Sequence, residues 1–126
     1  MITVALAKGR LAQKAVEVLE RCGLGLDALK EDTRKLVLFD DSGEYRFVFV
    51  KPSDVPTYVE RGVADFGIVG KDTILEEGRR IYEVLDLGFG CCRMCVCGPA
   101  EAAELLKHHE RIRVATKYPK IAKDYF

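Results

Sequence analysis

An apolar run over residues 3–7 stops abruptly at Lys8-Gly9-Arg10, after which Leu11, Ala15, Val18 and Leu19 recur at helical spacing until Gly23. The run predicts a buried strand, and the recurrence predicts an amphipathic helix packed on it. Residues 34–39 and 45–50 read as two further strands, and the polar Asp40-Asp41-Ser42-Gly43 between them predicts a hairpin. Ser53 is placed to cap a helix through Glu60, with Gly62 just past its end. Residues 66–69 form a short apolar strand of the type buried on both faces. A brief helix over 73–77 and a strand over 81–85 follow, and then Gly88-Phe89-Gly90 interrupts the pattern, as a crossing between two lobes would. Beyond it the chain reads as a strand over 91–97, a helix from Pro99 to about His109, and a strand over 113–115. A last helix covers 118–126, with Pro119 tolerated in its first turn. Strands alternating with helices predict an α/β fold built on a mainly parallel sheet.

Composition narrows the function classes. The chain has 126 residues, and its 20 Lys+Arg balance its 20 Asp+Glu, so a nucleic-acid surface is not its main business. Any anion site must be local. No apolar run approaches the length of a membrane span, and no signal sequence is legible, so the expected location is cytoplasmic, with no membrane partner. The five cysteines agree with that: an odd count, four of them in Cys91-Cys92-Arg93-Met94-Cys95-Val96-Cys97, is no secreted disulfide framework. On a strand, Cys91, Cys95 and Cys97 would share one face. Structural zinc sites need a second ligand pair, and His108 and His109 sit on a helix without obvious reach, so packing is the expected role of the cysteines. Arg93, a cation inside that apolar run, is expected to have a partner.

Chemistry concentrates where strands hand over to helices. Lys8-Gly9-Arg10, Lys51-Pro52-Ser53-Asp54, Gly70-Lys71-Asp72-Thr73 and Thr116-Lys117 each follow a strand and each carry a cation. In an open parallel sheet such junctions share the carboxyl edge, where ligands bind. Glycine lets backbone approach a ligand, a helix N-terminus offers free N–H groups, and arginine offers a fork that matches phosphate oxygens. Any one of these segments is also what a solvated loop carries; together they point to an anion site. No Ser-His-Asp arrangement and no paired inward carboxylates stand out, and His108-His109 reads as exposed residues at a helix end. The chemistry is therefore expected to be electrostatic rather than covalent.

Four stretches carry a resemblance. Ala5-Leu6-Ala7-Lys8-Gly9-Arg10-Leu11 resembles the opening of the ATP phosphoribosyltransferase family. Asp54-Val55-Pro56-Thr57-Tyr58-Val59-Glu60-Arg61-Gly62-Val63-Ala64-Asp65-Phe66-Gly67-Ile68-Val69-Gly70-Lys71-Asp72 resembles its central signature. Asp86-Leu87-Gly88-Phe89-Gly90 with Cys92-Arg93-Met94, and Val114-Ala115-Thr116-Lys117-Tyr118-Pro119 with Ile121-Ala122 and Tyr125-Phe126, are similar to its inter-lobe and later segments. The resemblance implies an α/β fold similar to type II periplasmic binding proteins: a first lobe over 1–88, and a second over 89–126 that is incomplete in this chain. The family's sequence continues past Phe126 into a Thr-Gly loop that grips the ribose phosphate, so an N-terminal piece is expected.

The implied reaction joins N1 of ATP to C1 of phosphoribosyl pyrophosphate (PRPP) with release of pyrophosphate, the first step of histidine biosynthesis. Magnesium accompanies the substrate, with no metal-ligating residues assigned. Gly70-Lys71-Asp72 is typical of the short form, which works in a hetero-oligomer with a regulatory subunit resembling histidyl-tRNA synthetase. Carried over by position, Arg10, Arg34 and Lys51 become candidate catalytic residues. Lys8, Gly9, Arg10, Gly70, Asp72, Thr116 and Lys117 become candidate substrate contacts. Lys51 stands where many relatives carry arginine, keeping the charge without the fork. The alternative is a non-catalytic, bilobal small-anion-binding module or an inactive truncated fragment.

Overall fold

Strand β1 (Ile2–Ala7) lies inside a four-stranded sheet that runs in the order β2 (Val37–Phe39), β3 (Tyr45–Val50), β1, β4 (Phe66–Ile68), and it pairs in parallel on both sides, with β3 and β4. The computed structural model describes residues 1–31, 34–108 and 111–126. Strand β2 (Val37–Phe39) joins β3 antiparallel, so the expected hairpin forms on an otherwise parallel sheet. Helices α1 (Arg10–Arg21), α2 (Asp27–Lys30), α3 (Val55–Glu60), α4 (Lys71–Glu77), α5 (Ala102–Lys107) and α6 (Pro119–Tyr125) complete the described elements. The result is a mixed α/β fold with one sheet, dividing into two compact units, Met1–Gly90 and Cys91–Phe126.

The alternation of β1 feeds two cores. Val4 and Leu6 pack with Ala15 and Val16 of α1, Leu26 and Phe47. Ala5 and Ala7 face the other way, onto Val55 and Ala64. Small residues on that second face let α3 come close. A Cβ on Gly67 would stand 2.6 Å from Val55 Cγ1, so β4 passes under α3 only because it carries glycine there. At the opposite end, Thr3 and Asp65 exchange hydrogen bonds. The Thr3 N–H donates to the Asp65 carboxylate at 2.7 Å and the Asp65 N–H donates to the Thr3 carbonyl at 2.8 Å, fixing the β1–β4 register.

The elements differ from the sequence reading in several places. Strand β4 is an edge strand rather than one buried on both faces, because it has a neighbour only in β1 among the described residues, and Phe66 is 52% exposed. The second strand begins at Val37 rather than Arg34, because pairing with β3 reaches only from Val37 opposite Val48 to Phe39 opposite Arg46. Ser53 caps nothing through its side chain: Pro52–Asp54 winds as a 3-10 turn, and α3 starts only at Val55. Pro52, with fixed φ and no N–H, favours such a tightened entry. Residues 81–85, 91–97 and 113–115 are not strands. A strand needs a neighbouring ladder, and none of these runs pairs with one among the described residues, leaving Tyr82 95%, Val84 79% and Val96 53% exposed. The fourth helix expected, from Pro99, is shortened to Ala102–Lys107, and its expected end at His109 lies outside the described residues.

Candidate functional site at the carboxyl edge of the sheet

Because β1, β3 and β4 are parallel, the segments that leave them depart from one edge. Ala7 is level with Val50 and Leu6 with Ile68, so Lys8-Gly9-Arg10, Lys51 and Gly70-Lys71-Asp72 follow at that edge. Strand β2 runs the opposite way and therefore begins there. The Phe49 N–H donates to the Leu36 carbonyl at 2.8 Å, which brings the approach of Arg34 to the same rim. With adjacent strands about 5 Å apart, the three parallel strand ends span roughly 10 Å, the scale of a di- or triphosphate.

Each junction is built differently. Gly9 caps α1 with φ +110° and ψ −158°, a conformation that side-chain-bearing residues rarely adopt. Among the described residues no side chain caps this helix, and no acidic residue occupies its first turn, so its leading N–H groups and positive dipole end are left for an external anion. Lys51 precedes the 3-10 turn, where the Asp54 N–H donates to the Lys51 carbonyl at 2.9 Å. Gly70 precedes α4, and a Cβ there would overlap the Asp72 carboxylate, so glycine is what allows that side chain to fold back across the junction.

Lys8, Arg10, Arg34 and Lys51 are exposed, and none of them is in an ion pair among the described residues. Lys71 differs: its ammonium pairs with Glu83. A carboxylate twelve positions away, on a different segment, leaves no local spacing signal, and sequence reasoning missed it. It also missed Glu60, whose carboxylate accepts from the Arg80 N–H at 3.0 Å and pairs with Arg79. Those two contacts, the backbone one first, hold the carboxyl below its ordinary range.

Thr116 and Lys117 belong to the second unit. The Thr116 hydroxyl accepts from the Tyr118 N–H at 3.0 Å, and the Lys117 ammonium lies 5.1 Å from the Tyr118 ring centre, so both are tied to the entry of α6. The cysteine run is corrected outright. Cys91, Cys92, Cys95 and Cys97 are exposed free thiols rather than packed side chains, and Arg93 beside them is exposed and so needs no buried partner. No cluster of three or more His, Cys, Asp or Glu suited to a metal ion occurs among the described residues. Nor is any described helix long and apolar enough to cross a membrane.

The fold and site define an α/β protein whose sheet gathers three of the four expected cationic junctions at its carboxyl edge; the fourth, Thr116-Lys117, follows no strand and lies in the second unit. The family model described as HisG, ATP phosphoribosyltransferase, matches residues 51–126. The chain belongs to the ATP phosphoribosyltransferase family. It is 64% identical over 126 residues to the ATP phosphoribosyltransferase of Lachnospira eligens, covering 99% of this chain and 58% of that protein. It is equally 64% identical to that of Lachnoclostridium phytofermentans, covering 59% of it. The ATP phosphoribosyl transferase (HisG:HisZ) complex from Thermotoga maritima superposes with a TM-score of 0.58 at 29% identity, over 71% of this chain and 41% of that one. The chain thus spans just under three fifths of the curated relatives it matches.

Proposed function

We propose that this chain supplies the carboxyl-edge anion site of an ATP phosphoribosyltransferase, the enzyme of the first step of histidine biosynthesis. Adenine N1 of ATP attacks C1 of the PRPP ribose. The N1–C1 bond forms, the C1–O bond breaks, and its electron pair leaves with pyrophosphate. The N1 lone pair needs no deprotonation, so the protein's task is to hold two anionic substrates in line and stabilise the departing charge. Lys8, Arg10 and the Gly9 amide contact phosphate; Arg34 reaches substrate phosphate from the segment leading into β2; Lys51 faces the leaving pyrophosphate. Asp72, at the Gly70 junction, contacts the nucleotide side, and Thr116 and Lys117, in the second unit, are further candidate substrate contacts. Substrate-bound magnesium would supply further neutralisation of the pyrophosphate charge, with no residue of this chain assigned to hold it. The two units correspond, in this reading, to lobes similar to those of type II periplasmic binding proteins, divided near residue 88.

The observation that carries the reading is the convergence of Lys8, Arg10, Arg34 and Lys51 on one sheet edge without partner carboxylates among the described residues. Family membership supplies the reaction. The Thermotoga maritima relative was solved as a HisG:HisZ complex, which supports a hetero-oligomer with a regulatory subunit; a cytoplasmic location fits a biosynthetic enzyme.

Arg10→Ala in the full-length enzyme carrying this segment tests the assignment. Loss of one charged hydrogen-bonding contact costs about 1.5–3 kcal/mol, or roughly ten- to a hundredfold in pyrophosphate release from ATP and PRPP. Unchanged affinity and turnover in that variant would refute it. Anion binding without release of pyrophosphate from PRPP would identify a binding module instead.

A further inference from the structure

Of the cations that the sheet topology brings to the rim, Lys71 is distinguished by its bond to a carboxylate on a separate segment. Glu83 belongs to the irregular stretch after α4, with 49% of its side chain exposed, and Lys71 has 59% exposed. The same stretch is tied down once more, where the Arg80 N–H donates to Glu60 and Arg79 pairs with Glu60 at 3.5 Å. Glu83 is thus held within reach of the rim by its own chain. Nothing comparable neutralises Lys8, Arg10, Arg34 or Lys51 among the described residues.

We infer that Glu83 is an internal counter-ion for Lys71, a carboxylate occupying the lysine that an incoming phosphate would otherwise use, so that Glu83 sets the anion affinity of the rim. This rests on the reading of the rim as a phosphate site. The geometry favours competition over permanent structure. An ion pair with both partners half in water is weak, and a phosphate group carries more charge than the carboxylate it would displace. Glu83 is a positioning residue: it acts on the ligand only through Lys71. With anion bound, Lys71 turns to phosphate and the 81–85 stretch loses that tether while keeping the one at Glu60.

Calorimetric titration of the 126-residue chain with inorganic pyrophosphate at low salt tests this, using wild type, Glu83→Gln, Lys71→Met, the Lys71→Met/Glu83→Gln double variant, and Arg10→Ala. Glu83→Gln is expected to bind three- to tenfold more tightly than wild type, and the double variant to show no gain over Lys71→Met. Both positions are exposed, so folding is not at stake. Unchanged affinity in Glu83→Gln overturns the inference. So does a gain that persists without Lys71, because the carboxylate would then act only through its general field. The Arg10→Ala arm separates the two claims: if it binds pyrophosphate as wild type does, the phosphate-rim reading fails whatever Glu83 does. Absence of binding in every variant, Glu83→Gln included, overturns both.

Discussion

Asp40 organises the hairpin turn with a single carboxylate. It accepts from the Ser42 hydroxyl, from the Tyr45 N–H at 2.8 Å and from the Ser42 N–H at 3.3 Å, while the Gly43 N–H donates to its carbonyl at 3.1 Å. These bonds, the Ser42 hydroxyl foremost, hold the Asp40 carboxyl below its ordinary value near 3.8 although it is buried. A carboxyl depressed in the folded state stabilises above its unfolded-state pKa, and that contribution fades as pH falls through the folded-state value. Urea unfolding at stepped pH is therefore expected to show stability dropping below about pH 4. Asp40→Asn should lower stability at pH 7 and flatten the acid limb, leaving a residual slope from Glu60, whose carboxyl is depressed too. An unaltered acid limb in Asp40→Asn would remove Asp40 from the account.

The contact between α3 and β4 shows how closely two elements depend on one residue type. Adding a side chain at Gly67 brings its Cβ to 2.6 Å from Val55 Cγ1 and 3.1 Å from Val59 Cγ2, and Val55 is itself only 1% exposed. Gly67→Val should cost about 1–3 kcal/mol by denaturant unfolding. Val63→Ala, at a site 51% exposed, should stay within about 0.5 kcal/mol. An equal effect at both would mean that α3 slides freely. Elements of this kind were legible in sequence where periodicity and contact agree: residues 3–7, the helix marked by Leu11 and Ala15, and the hairpin around Gly43 form as their patterns predict, whereas residues 66–68 form a strand at an exposed sheet edge rather than one buried on both faces. Where an element depends on a neighbour, the pattern misled. Residues 81–85 look like a strand in isolation, but strand pairing is a property of two strands' edges, and among the described residues β4 pairs only with β1. The rim followed the same rule. Its junctions were legible because each is local to one strand end, whereas the Lys71–Glu83 pair joins segments that no short spacing relates.

The buried apolar residues of the whole molecule are unevenly distributed. Those identified among the described residues, from Val4 to Ala64, all lie in Met1–Gly90, and Phe47 and Leu6 are fully enclosed there. Unit Cys91–Phe126 contains α5 and α6, with Val96, Val114 and Phe126 each at least 49% exposed. Cooperative protection should follow burial, since regions with few enclosed apolar contacts open at low free-energy cost. Amide exchange followed by mass spectrometry is expected to show the slowest exchange in β1 and β3, and fast exchange throughout 91–126. Phe47→Ala removes the largest enclosed side chain, at a cost of about 3–5 kcal/mol. In β1 and β3 that should accelerate exchange by on the order of a hundredfold or more, at about 1.4 kcal/mol per factor of ten. Peptides from 91–126 should keep their wild-type rates, because no identified core residue there depends on Phe47. If the same substitution accelerated 91–126 in proportion, the two units would share one unfolding event, and a core confined to the first could not be what stabilises the molecule.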